Sequence, residues 1–173
     1  MAKRKEKYRT VNCTPTSLLD VGELQSLKEE IEEWRDNLSN ANMEHLPKFE
    51  ELSECYDTLE STLDDLEGQL NEVTELIEKL EVTGVDKLQD FCFSILPVKA
   101  GRARRAAAAQ DEISQGLETL KSALEQYQAN YEDLPDTEKK EGRSDDIQEA
   151  LDKIDEAIEK LSELDDVNFP GMY

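Results

Sequence analysis

Between Phe49 and Leu80 the residues Phe49, Leu52, Tyr56, Leu59, Leu63, Leu66, Leu70, Val73, Ile77 and Leu80 follow one another at spacings of three and four. Such positions share one stripe only on a helix, where 3.6 residues complete a turn. Pro47 suits the first turn, where its missing N–H costs nothing, and Gly84 is placed to stop the helix. At 1.5 Å per residue this helix is roughly 50 Å long. A stripe this narrow makes no core by itself, so it must be buried against other helices.

Three further stripes supply partners. Ile113, Leu117, Leu120, Leu124, Tyr127, Tyr131 and Leu134 keep the same rhythm behind the alanine run Ala106 to Ala109, and Pro135 stops them. Shorter stripes run through Leu24, Leu27, Ile31, Trp34 and Leu38, and through Ile147, Leu151, Ile154, Ile158 and Leu161 behind Ser144 as N-cap. The expected fold is all-α: an antiparallel helical bundle, built as a coiled-coil hairpin of two long helices with two shorter ones packed along them. The helices are expected at 17–40, 47–83, 102–134 and 144–164, within a bundle spanning 15–166. Residues 1–14 read as a flexible basic arm and 167–173 as an apolar tail. Parallel pairing of the 47–83 helix with a second copy satisfies the same seam, so a homo-oligomer stays open.

A chain of 173 residues has room for one such fold and not for two sizeable cores. Apolar residues make up 37% and charged residues 36%, with seven Gly and five Pro, a composition of long helices rather than sheets. The net charge of −22 is uneven. Lys3, Arg4, Lys5, Lys7 and Arg9 against Glu6 give +4, and Lys99, Arg102, Arg104 and Arg105 give another +4, leaving −30 for the rest. Such a surface repels nucleic acid and anionic lipid and attracts basic protein partners; direct nucleic-acid contact is expected only through the basic arm. No apolar stretch is long enough for a membrane span. Cys13, Cys55 and Cys92 are odd in number and widely separated, which points to a reducing compartment, the cytoplasm or a particle assembled in one.

The heptad frame breaks at Gly84, and 85–100 is apolar on all sides. It is expected at the far end of the long hairpin. There Phe91, Phe93, Ile95, Leu96 and Val98, with a basic collar of Lys99, Arg102, Arg104 and Arg105, form either a docking tip or a plug for the bundle end. The arm (Lys3, Arg4, Lys5, Lys7, Arg9, with Tyr8 between its charges) is expected to touch an acidic face or a polyanion. The tail (Phe169, Met172, Tyr173) is expected to fill a groove or cap the bundle.

Chemistry-bearing constellations are missing from the sequence. His45 is the only histidine, no Glu-x-x-His occurs, and carboxylate pairs such as Glu30 with Glu33 or Glu51 with Glu54 are what 42 acids produce on solvated helix faces. The acidic stretch Asp133 to Asp146 lacks the ligand pattern of a calcium loop, and no glycine-rich phosphate loop is present. The cysteines have no histidine partner. Trp34, Tyr56, Tyr127 and Tyr131 fall on seam positions and read as core. No catalytic residue, metal site or cofactor is expected, and the chain does not read as an enzyme.

In composition the chain resembles small acidic helical proteins of phages and mobile elements. Two functions fit: a non-enzymatic protein-interaction or assembly protein, or an acidic nucleic-acid mimic that occupies the basic groove of a nucleic-acid-binding protein. For the mimic, Glu60, Asp64, Glu67, Glu72, Glu75 and Glu78 would imitate a row of phosphates.

Overall fold

The computed structural model describes residues 8–81, 84–97 and 99–171. It is mostly helical, with four helices and a small two-stranded sheet. Strand β1 (Tyr8–Cys13) leads through a 3-10 turn (Thr16–Leu18) into α1 (Gly22–Asn40) and α2 (Pro47–Leu80). Strand β2 (Gln89–Ser94) precedes α3 (Arg102–Glu132) and α4 (Arg143–Ser162).

Helix ends follow local chemistry. Pro47 opens α2, and Glu81 closes it in the left-handed region at φ 48°, three residues before the glycine expected to do so. Gly84 is also left-handed, at φ 102°. Gly142 (φ 76°) caps α4, so Ser144 lies inside the first turn and not at the cap; Asp145 and Asp146 there face the positive end of the helix dipole.

Cross-helix pairs give the directions. Between α2 and α4 they are Lys79–Asp146, Lys153–Glu72 and Lys160–Asp65, with rising numbers on one helix meeting falling numbers on the other. Lys121–Asp155 and Gln128–Gln148 show the same for α3 and α4. Helix α1 is likewise antiparallel to α2, through Glu32 with Tyr56 and Trp34 with Lys48. It is antiparallel to α3 through Arg105 with Glu23 and Arg102 with Trp34.

The two long helices, each antiparallel to the same neighbours, therefore run in the same direction. This corrects the expected hairpin of long helices: 81–101 is not a turn at one end but a crossover that returns along their length. An extended chain covers about 3.3 Å per residue, enough for that journey. Helix α1 lies along the first half of α2 and α4 along the second.

One core joins all four helices. Leu24, Leu27 and Ile31 meet Leu59, Leu63 and Leu66, and farther along Leu70 and Val73 share the core with Leu120, Leu124, Ile147 and Ile154. All of these are at most 2% exposed. Each fully buried leucine contributes about 1.5–3 kcal/mol of transfer free energy, so the stripes dominate stability.

The sheet was not expected. Strands β1 and β2 pair antiparallel, with Tyr8 opposite Ser94, Val11 opposite Phe91 and Cys13 opposite Gln89. Residues 8–13 of the expected flexible arm are thus a strand. Phe91 and Phe93 are 6% and 8% exposed, their rings 6.2 Å apart, and with Leu18 they form a second apolar cluster separate from the main core. No tip projects from a helix end; the segment lies beside α3 because alternation in Asp90-Phe91-Cys92-Phe93-Ser94 turns both rings to one face of a strand.

Candidate functional site

An opening follows α3 where the crossover and the N-terminal segment lie on it. The alanines of α3 leave its face low, and two neighbouring arms of open space share Leu96, Ala108 and Glu112 in their linings. One arm, about 530 Å³, is lined by the apolar Leu96, Ala108 and Ala109 and by Asp20, Glu112 and the paired Glu23 and Arg105. The other, about 280 Å³, adds Arg104, Asp111 and Tyr8. Glu112 borders both. Burial pushes its carboxyl above the usual range, and Asp20 and Glu23 push it the same way against the pull of Arg9.

Half of the basic collar is consumed inside the molecule. Arg105 donates to Glu23 and to Glu30, each at 2.7 Å, and Arg102 pairs with Glu30 at 3.3 Å while its guanidinium lies 5.0 Å from the Trp34 ring centre. Both fasten the start of α3 to α1. Lys99 and Arg104 are exposed, and neither has an ion pair among the described residues.

The expected tip separates into different environments. Phe91 and Phe93 are buried, Leu96 is half-buried in the trough, and Ile95 is 46% exposed. Val98 lies outside the described residues, as do Lys3, Arg4, Lys5 and Lys7 of the arm and Met172 and Tyr173 of the tail. Arg9 is exposed on β1 opposite Phe93. Phe169 is half-buried against the main core, and Pro170 beside it is buried.

A second surface is the outer face of α2. Glu60, Asp64, Glu67, Glu75 and Glu78 are exposed at spacings that keep them on one side, and none has an ion pair among the described residues. Glu60 accepts a hydrogen bond from Tyr56 at 3.0 Å. Glu72 stands off this row and pairs with Lys153 at 3.1 Å. From Glu60 to Glu78 the row spans roughly 27 Å at 1.5 Å per residue.

Among the described residues no group of three or more His, Cys, Asp or Glu is arranged to hold a metal ion. His45 is exposed in the α1–α2 turn. Cys55 is buried, which raises its thiol to about 11, with Arg102 pulling the other way. No described helix is long and apolar enough to cross a membrane.

Sequence reasoning missed the trough, Glu112, and Asp86, which clamps the 3-10 turn by accepting from the Thr16 amide at 3.1 Å and its hydroxyl at 2.5 Å. The signal for the strands was present: period-two alternation at Phe91 and Phe93, and β-branched Thr10 and Val11. The 70-residue separation of Thr16 and Asp86 left no local signal at all.

No protein-family model, no curated protein and no solved structure matches this chain.

Proposed function

We propose that this chain is a non-enzymatic protein-interaction or assembly protein, an acidic antiparallel helical bundle that presents carboxylate-rich surfaces to a basic protein partner. The observation that carries the reading is the carboxylate row on α2. Its apolar stripe is committed to the core, while Glu60, Asp64, Glu67, Glu75 and Glu78 face outward without a compensating cation among the described residues. Rows of one sign steer an oppositely charged partner and set its orientation. The trough along α3, with its apolar and acidic lining, offers a second contact to the same class of partner. Cys13, Cys55 and Cys92 are all free thiols, in keeping with work in a reducing cytoplasm or in a particle assembled there.

A second reading, a nucleic-acid mimic, is favoured by the continuity of the same row: five carboxylates along one helix, without an ion pair among the described residues, resemble a run of phosphates. Affinity capture of the tagged protein from its native host, eluted along a salt gradient, separates the two. A nucleic-acid-binding protein released at moderate salt, and displaced by duplex DNA, identifies a mimic. A basic partner that salt releases but duplex DNA does not displace identifies an assembly protein.

A further inference from the structure

We propose that β1, the 3-10 turn and β2 form a clasp that opens from the four helices as one unit, baring the trough along α3 while the main core stays folded. The clasp has its own apolar cluster of Leu18, Phe91 and Phe93, flanked by Val11 and Cys13 and separate from the core that joins the helices. Among the described residues its two strands pair only with each other, and an isolated two-stranded ribbon is marginally stable in water. It therefore depends on docking.

One contact holds the clasp together and another seats it on α3. Asp86 clamps Thr16 through the amide and hydroxyl hydrogen bonds. Pro15, Leu18 and Leu19 seat in a notch at Gly116, where a Cβ would lie 2.8 Å from the Pro15 carbonyl oxygen and 3.0 Å from Leu18 Cβ and Leu19 Cδ2. The pairs that register the helices, such as Lys79–Asp146 and Lys121–Asp155, involve no clasp residue. Opening as a unit therefore costs the notch against α3, keeps the second cluster and the Thr16–Asp86 clamp within the clasp, and leaves the main core intact. Closed, Phe93 and Leu96 wall the trough; open, the Ala108–Glu112 face of α3 becomes accessible to a partner.

Gly116→Ala is the discriminating variant. Alanine favours the helix over glycine, so α3 is not endangered, while the new Cβ pushes the turn out of its notch. Hydrogen exchange of the full chain, read by mass spectrometry across a series of sub-denaturing guanidinium concentrations, follows 8–18 and 86–97 against 59–70 and 147–161. The clasp amides are expected to exchange on the order of 100-fold faster than the core helices, with a smaller denaturant dependence. Gly116→Ala and, independently, Asp86→Ala should each speed clasp exchange by a further factor on the order of 10 and leave the helices unchanged. Equal rates and equal denaturant slopes for clasp and helices overturn the proposal. So does either of two variant results: both substitutions leave clasp exchange unchanged, or both speed clasp and helices alike.

Discussion

The Arg105 guanidinium donates to Glu30 at 2.7 Å, binding the first turn of α3 to the middle of α1, and a second 2.7 Å hydrogen bond goes to Glu23. The hydrogen bond to Glu30 is the main reason that Arg105 holds its proton even more firmly than an ordinary arginine. The side chain is three-quarters covered and Glu30 two-thirds, which places the pair between surface and buried ion pairs in strength.

Arg105→Ala should lower stability by about 1–2 kcal/mol, less than the loss of a buried pair because water screens part of it. Urea unfolding of the two proteins at low and high salt checks this, with the difference shrinking as salt rises.

Tyr131 pins the α3–α4 connection. Its hydroxyl donates to the Lys140 carbonyl at 2.8 Å and accepts from the Lys140 amide at 2.7 Å. Tyr131→Phe keeps the ring in the core and strands both backbone groups, so a cost of about 1–3 kcal/mol is expected. Limited proteolysis should then cut between 133 and 142 sooner than in the wild type.

Thiol alkylation at neutral pH should follow exposure: Cys92 first, half-buried Cys13 next, and Cys55 only on unfolding. Because the folded state holds the Cys55 proton up to about 11 against 9.0 ordinarily, that thiol contributes stability below pH 9 that is lost as pH rises toward 11. Mass mapping of alkylated peptides gives the order, and Cys55→Ala should flatten the alkaline limb.

Glu112 is raised by burial, so its charged form opposes folding at neutral pH. Its folded pKa lies above the unfolded one, and the stability it supplies is complete below the unfolded carboxylate pKa and lost above the folded one. Glu112→Gln should therefore stabilise the protein at pH 7 and have little effect below about pH 4, where the carboxyl is protonated in both states. Thermal unfolding at the two pH values tests the sign.

The four helices were legible because each buried stripe writes its period into the sequence: Leu52, Leu59, Leu63 and Leu66 are buried as their spacing requires. The direction of α3 relative to α2 was not legible. A three-and-four stripe on α2 is satisfied equally by parallel and antiparallel neighbours, and the deciding element, the crossover with β2, is anchored by Thr16 and Asp86, which stand far apart in the chain. The pairing of Arg102 and Arg105 with α1 was not legible for a related reason, since nothing local to them announces that Glu30 and Trp34 of α1 fold against the start of α3. The exposure of the acidic positions on α2 was readable, because positions off a buried stripe must face water, but the pairing of Glu72 with Lys153 was not, since α4 lies far along the chain.

The most direct test of the proposed function is parallel affinity capture from the native host with two baits, wild type and a variant carrying Glu60→Gln, Asp64→Asn, Glu67→Gln, Glu75→Gln and Glu78→Gln. These exposed positions leave the core untouched, so circular dichroism should show both baits folded alike. The account predicts a basic protein retained by the wild type and lost from the neutralised bait; identical partner sets on the two baits, or no basic protein on either, would contradict it.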